Sequence, residues 1–258
     1  MSDLHWKTSI TKIEPNKVSI RGYPVDKLMG NVSFAQAIYL VLTGEMPSPE
    51  VGKLVDAIFV SSVDHGASPP SVLSARTVAS TGSALNAAIA SGVLAISRYH
   101  GGAIEEGMKL FLSIAARMEE EQKSEQEAVR IVLKEMRDKG MRASGYGHRI
   151  HSRDPRTEKL FDLAKDLKVA GKHIQIALAV EKELENTLGK PLPINVDGAI
   201  AAVLCELGIS PEIGNAFFII ARVPGLVAHI QEEWTRMRPM RKIHPQDYEY
   251  DGPDERKL

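Results

Sequence analysis

From about residue 30 onward, apolar residues recur at helical spacing between recognisable start and stop signals, and sustained strand alternation is missing. Ser33 stands where a cap is expected, before Ala37, Ile38, Leu40, Val41 and Leu42. Gly44 closes that run, and Pro47 and Pro49 follow. Residues 72–96 are rich in Ala and Ser, with Gly82 and Gly92, and small side chains let helices approach closely, so this stretch predicts tightly packed central helices. Ser124 and Glu127 form a Ser-x-x-Glu capping box ahead of Val129, Val132, Leu133 and Met136, with Gly140 as the stop. Ser210-Pro211-Glu212 opens a further helix, with Pro at its first position. Strand character is confined to residues 8–21, enough for one hairpin before the turn-like Gly22-Tyr23-Pro24. The chain reads as all-α.

Several function classes fall away on composition. Over 258 residues the net charge is −1, whereas nucleic acid or an anionic membrane would favour a basic excess. The single cysteine, Cys205, rules out an internal disulfide and a cysteine-rich zinc site, and it sits among apolar residues as a small hydrophobe would. No apolar run approaches the ~20 residues of a membrane span, and the N-terminus lacks a signal pattern, so a cytoplasmic location is expected. The charged run 119–123 reads as solvated surface around a helix start, and the polar tail 239–258 as extended or disordered.

Four segments break the helical pattern with glycine, histidine or aspartate. They are Val63-Asp64-His65-Gly66-Ala67, Arg98-Tyr99-His100-Gly101-Gly102-Ala103, Gly145-Tyr146-Gly147-His148-Arg149 followed by Asp154-Pro155-Arg156, and Ile194-Asn195-Val196-Asp197-Gly198. Helix ends are where a helical protein builds a site. Each segment also has a plain structural reading: Asp197 as a helix cap, His65 and His100 as ordinary end histidines, Gly145 and Gly147 as loop formers. No His-x-x-x-His pattern with a carboxylate is present, so no metal is expected.

In order and wording these segments resemble the citrate synthase superfamily. The likeness begins at Ile20-Arg21-Gly22-Tyr23-Pro24 and the run from Ser33 to Pro47, continues through the four segments, and ends at Arg222-Val223-Pro224-Gly225-Leu226-Val227-Ala228-His229. Only residues 48–63 separate Pro47 from Asp64, where citrate synthases usually carry a long set of helices. That short layout, with His244-Pro245-Gln246-Asp247-Tyr248 in the tail, resembles the citryl-CoA lyase module of ATP-citrate lyase, and so a stand-alone citryl-CoA lyase. His100-Gly101-Gly102-Ala103 departs from this, being the synthase wording where that module tends to have Phe.

The resemblance implies a two-lobed helical fold, with residues 1–101 and 209–258 in a large lobe and 102–208 in a small one. It implies a retro-Claisen cleavage of citryl-CoA to acetyl-CoA and oxaloacetate. His148 would serve the citryl hydroxyl, His100 the thioester oxygen and Asp197 the enolate carbon. Arg156 and Arg222 would hold the substrate carboxylates and His65 would contact substrate, joined by one of Arg236, Arg238 or Arg241, with Arg238 placed first. Coenzyme A would lie along residues 143–147, touching Gly145, Tyr146, Gly147 and Arg149, its adenine and phosphates near Arg142, Arg149 or Arg153. No cofactor beyond coenzyme A is implied. The family suggests a homodimer or homotetramer, and a citryl-CoA synthetase upstream. The nearest alternative is a citrate or methylcitrate-type synthase, and a remote one is a helical binding protein without catalysis.

Overall fold

The computed structural model describes residues 6–147 and 154–241. Its short sheet holds β1 (Thr11–Glu14), β2 (Lys17–Ile20) and β3 (Tyr23–Pro24) in the order β1-β2-β3, all antiparallel. Two tight turns make it. Asn16 at φ 60° closes the first, and Arg21 and Gly22, at φ 50° and 88°, fold the chain back for the third strand beyond the single expected hairpin. Arg21 then donates from Nε and Nη2 to Val41 O at 3.2 and 2.9 Å, tying the sheet to the helices.

Eleven α-helices follow among the described residues. They are α1 (Val25–Leu28), α2 (Phe34–Thr43), α3 (Pro49–Ser62), α4 (Pro70–Ser80), α5 (Leu85–Leu94), α6 (Ala103–Glu120), α7 (Glu125–Asp138), α8 (Pro155–Asp166), α9 (Lys172–Leu188), α10 (Val196–Glu206) and, after a 3-10 turn at Pro211–Ile213, α11 (Gly214–Arg236). The capping boxes of Ser33 with Gln36 and of Ser124 with Glu127 both form, and Gly44 ends α2 in the left-handed conformation. The fold is all-α, as the spacing predicts.

The small-residue stretch resolves into two helices, α4 and α5, broken around Gly82 at φ 83°. At Gly92 a Cβ would stand 2.9 Å from Ser71 O and from Leu226 Cδ1, so the missing side chain sets the close approach of α5 to α4 and α11. Helix α10 is apolar on all sides and buried except at Asp197 and its last residue. It packs on α6, α8 and α9 as the central helix of that group. Helix α11 lies against α3, α4, α5 and α6.

Two expectations change. The charged run 119–123 straddles the end of α6 and the turn before α7 rather than a helix start. The segment Pro211–Arg236 is, by length and composition alone, long and apolar enough to cross a membrane. Among its side chains, Phe217, Phe218, Leu226 and Ile230 are buried within the protein, alongside the charged Arg222 and Glu233.

Candidate active site

Helix ends and the middle of α11 converge on one cavity of about 180 Å³ lined by His65, Tyr99, His100, Gly101, Arg156, Asn195, Val196, Asp197, Phe218 and Arg222. Five residues singled out in the sequence (His65, His100, Arg156, Asp197 and Arg222) thus meet from segments that lie far apart along the chain. His148 and Arg149 fall outside the described residues, as does Arg153.

Asp197 stands in the first turn of α10, but Asn195 does the capping. Asn195 Oδ1 accepts from the N–H groups of Asp197 and Gly198 at 3.0 and 3.2 Å. The Asp197 carboxyl is left facing the cavity, where burial pushes its pKa up to about 6. Arg156 and Arg222 oppose that rise and Asp154 adds to it. A carboxyl in this range exchanges protons near neutral pH, as a general acid or base must.

His100 is placed by a tight turn in which Ser97 and His100 exchange backbone hydrogen bonds at 2.9 and 2.8 Å. Gly101, at φ 78°, lets that turn lie against Phe218, whose ring a Cβ would meet at 2.6 Å. The imidazole Nε2 is 2.8 Å from Ser71 Oγ, and its edge meets Phe218 at a centroid distance of 5.8 Å. Burial lowers the His100 pKa, and the charges of Arg222 and His65 lower it further, so the ring is neutral near pH 7. With Ser71 as donor to Nε2, the neutral ring carries its proton on Nδ1 and can donate it to a ligand oxygen. Tyr99, at the cavity mouth, is 92% exposed.

The two arginines differ in how they are held. Arg222 is 2% exposed, donates from Nε to Ser62 O at 3.0 Å, and lies 4.7 Å from the Phe218 ring centre. Its Nη1 is buried without a hydrogen-bond partner, a donor that an acidic ligand would satisfy. Arg156 turns its Nε and Nη2 edge onto Asp154 at 3.0 and 2.8 Å, leaving Nη1 3.5 Å from Ser61 O. The fork that the resemblance assigns to substrate is therefore already paired with a carboxylate. Asp154 is buried, and burial would raise its pKa, but the bonds from Arg156 and the Val196 amide outweigh that and leave it below the usual range.

Residues 145–147 brace the site from behind. Gly147 N donates to Pro193 O at 2.7 Å, Asn195 N to Gly145 O at 3.0 Å, and Asn195 Nδ2 to Gly147 O at 3.0 Å. Tyr146 sends its hydroxyl inward to Ala177 O at 2.9 Å. Ala143 and Tyr146 also border a larger cavity, about 550 Å³, between α7 and α9. Its walls carry Arg130, Lys134, Arg137, Arg142 and Lys190 over an apolar floor that includes Leu133, Met136, Leu184 and Leu192. Its one carboxylate, Glu183, is paired with Arg130 at 3.2 Å.

Arg238 is exposed after α11 and does not line the 180 Å³ cavity. Of its neighbours, Arg236 pairs with Glu232 at 2.6 Å and Arg241 with Glu233 at 2.5 Å. Among the described residues, no three His, Cys, Asp or Glu side chains gather as a metal ion would require. Sequence reasoning did not single out Ser71 or Phe218, because neither sits in a motif. Only the packing of α4 and α11 on the His100 turn brings them to the site.

A proton-exchanging carboxyl beside an unsatisfied guanidinium, reached through helix ends, defines an all-α protein whose site suits an acidic ligand. The family is plain from comparison: a model described as citrate synthase, C-terminal domain, matches residues 46–246, and the chain belongs to that family. The solved structure of citryl-CoA lyase from Hydrogenobacter thermophilus is 43% identical, with a TM-score of 0.89, covering 98% of this chain and 97% of that one. An ATP citrate lyase from Methanosaeta concilii, solved with (3S)-citryl-CoA, shares the fold at TM-score 0.80 and 23% identity, covering 99% of this chain and 43% of that one. Among curated relatives, the citrate synthase of Synechocystis is 32% identical over 81% of this chain and 51% of its own length. Citrate synthase 2 of Bacillus subtilis is 29% identical over 87% and 57%. The chain thus spans about half the length of these curated relatives.

Proposed function

We propose that the chain is a citryl-CoA lyase, cleaving citryl-CoA to acetyl-CoA and oxaloacetate. The observation that carries this reading is the pairing, on one cavity, of the Asp197 carboxyl with a pKa of about 6 and the buried, unpartnered Nη1 of Arg222. Cleavage breaks the bond between the carbinol carbon and the thioester α-carbon. The hydroxyl gives up its proton, its carbon becomes the oxaloacetate ketone, and the bonding pair moves to the α-carbon and thioester oxygen as an enolate. His100 Nδ1–H donates to that oxygen, and neutral Asp197 delivers a proton to the α-carbon to complete the acetyl methyl. Arg222 meets a substrate carboxylate through its unpartnered Nη1, with Arg156 and His65 lining the same cavity. His148 takes the hydroxyl proton, an assignment resting on the resemblance alone.

The nucleotide end of coenzyme A would fill the 550 Å³ cavity, its base on the apolar floor and its phosphates among Arg137, Arg142 and Lys190. Residues 143–147 then lead from that cavity to Asp197. The reading includes lobes of residues 1–101 with 209–258 and of 102–208, closing over substrate. It also includes a homodimer or homotetramer, to which the exposed Leu73, Leu85 and Leu94 of α4 and α5 would contribute.

Lyase is favoured over synthase by two observations. One helix, α3, fills the interval between Pro47 and Asp64, where the resemblance gives synthases a longer set of helices, and the likeness to the Hydrogenobacter lyase stands at 43% identity against 29% and 32% for the two curated citrate synthases. The test is to supply citryl-CoA without ATP or metal and follow the products. Oxaloacetate and acetyl-CoA are expected. Free citrate with free coenzyme A would instead mean thioester hydrolysis, and a synthase.

A further inference from the structure

His229 does not line the cavity, yet it is tied to the segment that carries His65. It sits on α11 two turns beyond Arg222, with its side chain 14% exposed. Its Nε2 lies 3.0 Å from Asp64 Oδ1, while Asp64 Oδ2 accepts the Gly66 N–H at 2.9 Å. Burial would raise the Asp64 pKa, but the Gly66 amide and His229 outweigh it, so the carboxyl is ionised and the imidazole is the donor. The other imidazole nitrogen faces Glu232 at 3.9 Å. One carboxylate thus ties the turn around His65 to α11.

The same segment is anchored at two further points. Ser62 O accepts from Arg222 Nε at 3.0 Å, and Ser61 O lies 3.5 Å from Arg156 Nη1. The chain also rests directly on α11, because a Cβ at Gly225 would stand 2.3 Å from Val63 O and 3.0 Å from Asp64 Oδ1. Whatever fixes residues 61–66 therefore fixes His65 and the carbonyl that aims Arg222.

We propose that His229 is a positioning residue: by holding Asp64 it sets the 61–66 segment so that His65 and Arg222 present one preformed surface to the substrate carboxylates. This rests on the function proposed above. A mere surface ion pair would contribute little to stability and nothing to substrate affinity. Positioning instead predicts an effect confined to the carboxylate end of the substrate, because small misplacements of binding groups are costly.

The test compares His229→Leu, which keeps bulk but loses the donor, with His229→Gln, which keeps an N–H at similar reach. His229→Leu should raise KM for citryl-CoA and the Kd for citrate roughly tenfold, with kcat within about twofold. Hydrogen exchange at the Gly66 amide should quicken, and Kd for free coenzyme A should not move. His229→Gln should recover most of the affinity. Asp64→Asn probes the same bond from its other end and should shift KM in the same direction, which guards against a His229 variant that fails to fold. Unchanged KM and citrate affinity in both His229→Leu and Asp64→Asn, with an active wild type, overturns the proposal, as does a Gln variant no better than Leu. A wild type that neither cleaves citryl-CoA nor binds citrate overturns the functional reading itself.

Discussion

Asn195 Oδ1 accepts the backbone N–H groups of both Asp197 and Gly198, at 3.0 and 3.2 Å, so the start of α10 is capped two residues ahead of its acid. The Asp197 carboxyl makes no hydrogen bond among the described residues and faces the cavity with its proton affinity raised. A cap must be ionised or polar and paired, whereas an acid for carbon must be free to gain and lose its proton. The neighbouring asparagine separates the two tasks.

Asp197→Asn should therefore lower turnover by roughly 10²- to 10⁴-fold, the usual contribution of a general acid or base. It should not weaken the fold. A carboxyl with a raised folded pKa contributes stability below its unfolded pKa and loses it as pH rises through about 6. The variant should thus match wild type near pH 4 and exceed it above pH 6, by at most about 3 kcal/mol. Denaturant unfolding at the two pH values reads this. A variant destabilised at pH 7 would return Asp197 to a structural role.

The same pKa fixes the sign of the rate profile. Cleavage needs Asp197 protonated, so kcat/KM for citryl-CoA should fall as pH rises through about 6. Enolising acetyl-CoA in the reverse direction needs the ionised form, and its rate should climb across the same interval. Parallel profiles in the two directions would remove Asp197 from the proton transfer.

Arg222→Lys should raise KM roughly 30-fold, because an ammonium cannot serve Ser62 O and a substrate carboxylate from one fork. Steady-state kinetics with citryl-CoA measures this. Near-normal KM would mean the orphaned Nη1 has no ligand to meet.

Arg137→Ala and Lys190→Ala, on the 550 Å³ cavity, should each weaken coenzyme A several-fold, on the order of 3- to 10-fold, and the loss should shrink in high salt. Calorimetric titration of free coenzyme A distinguishes this from an effect on citrate, which should bind unchanged. Equal loss of both ligands would place the nucleotide elsewhere.

Gly145→Ala should cost well over 1 kcal/mol, since φ is 88° and the new Cβ would meet Gly198 Cα at 2.6 Å. Gly22→Ala has the same φ and nothing within 4 Å, so it carries the backbone strain alone, about 1 kcal/mol. Thermal melts of the pair separate strain from collision.

Much of the helical order was written locally. Ser33 with Gln36, Ser124 with Glu127, and the glycines after α2 and α7 act within a turn of themselves, so they can be read without knowing the fold. Other ends could not be read this way. Nothing near Gly171 announces the start of α9, because its cap is Glu206 from the end of α10, which accepts from Gly171, His173 and Ile174 at 2.8 to 3.0 Å. The third strand was likewise missed, since Arg21 adopts a left-handed conformation that its residue type does not advertise.

The sequence by itself determined the all-α class, the placing of glycine, histidine and aspartate at helix ends, and the family to which those words belong. Each depends on residue type and short spacing. Tertiary structure alone decided which of those residues work together. It gave the α10 cap to Asn195 and left Asp197 to the cavity, turned the Arg156 fork onto Asp154, and left one donor of Arg222 unsatisfied. It also joined His229 to Asp64 across 165 positions of chain. Hydrogen bonds and desolvation act over a few ångströms of space, and the distance between two residues along the chain carries no record of them.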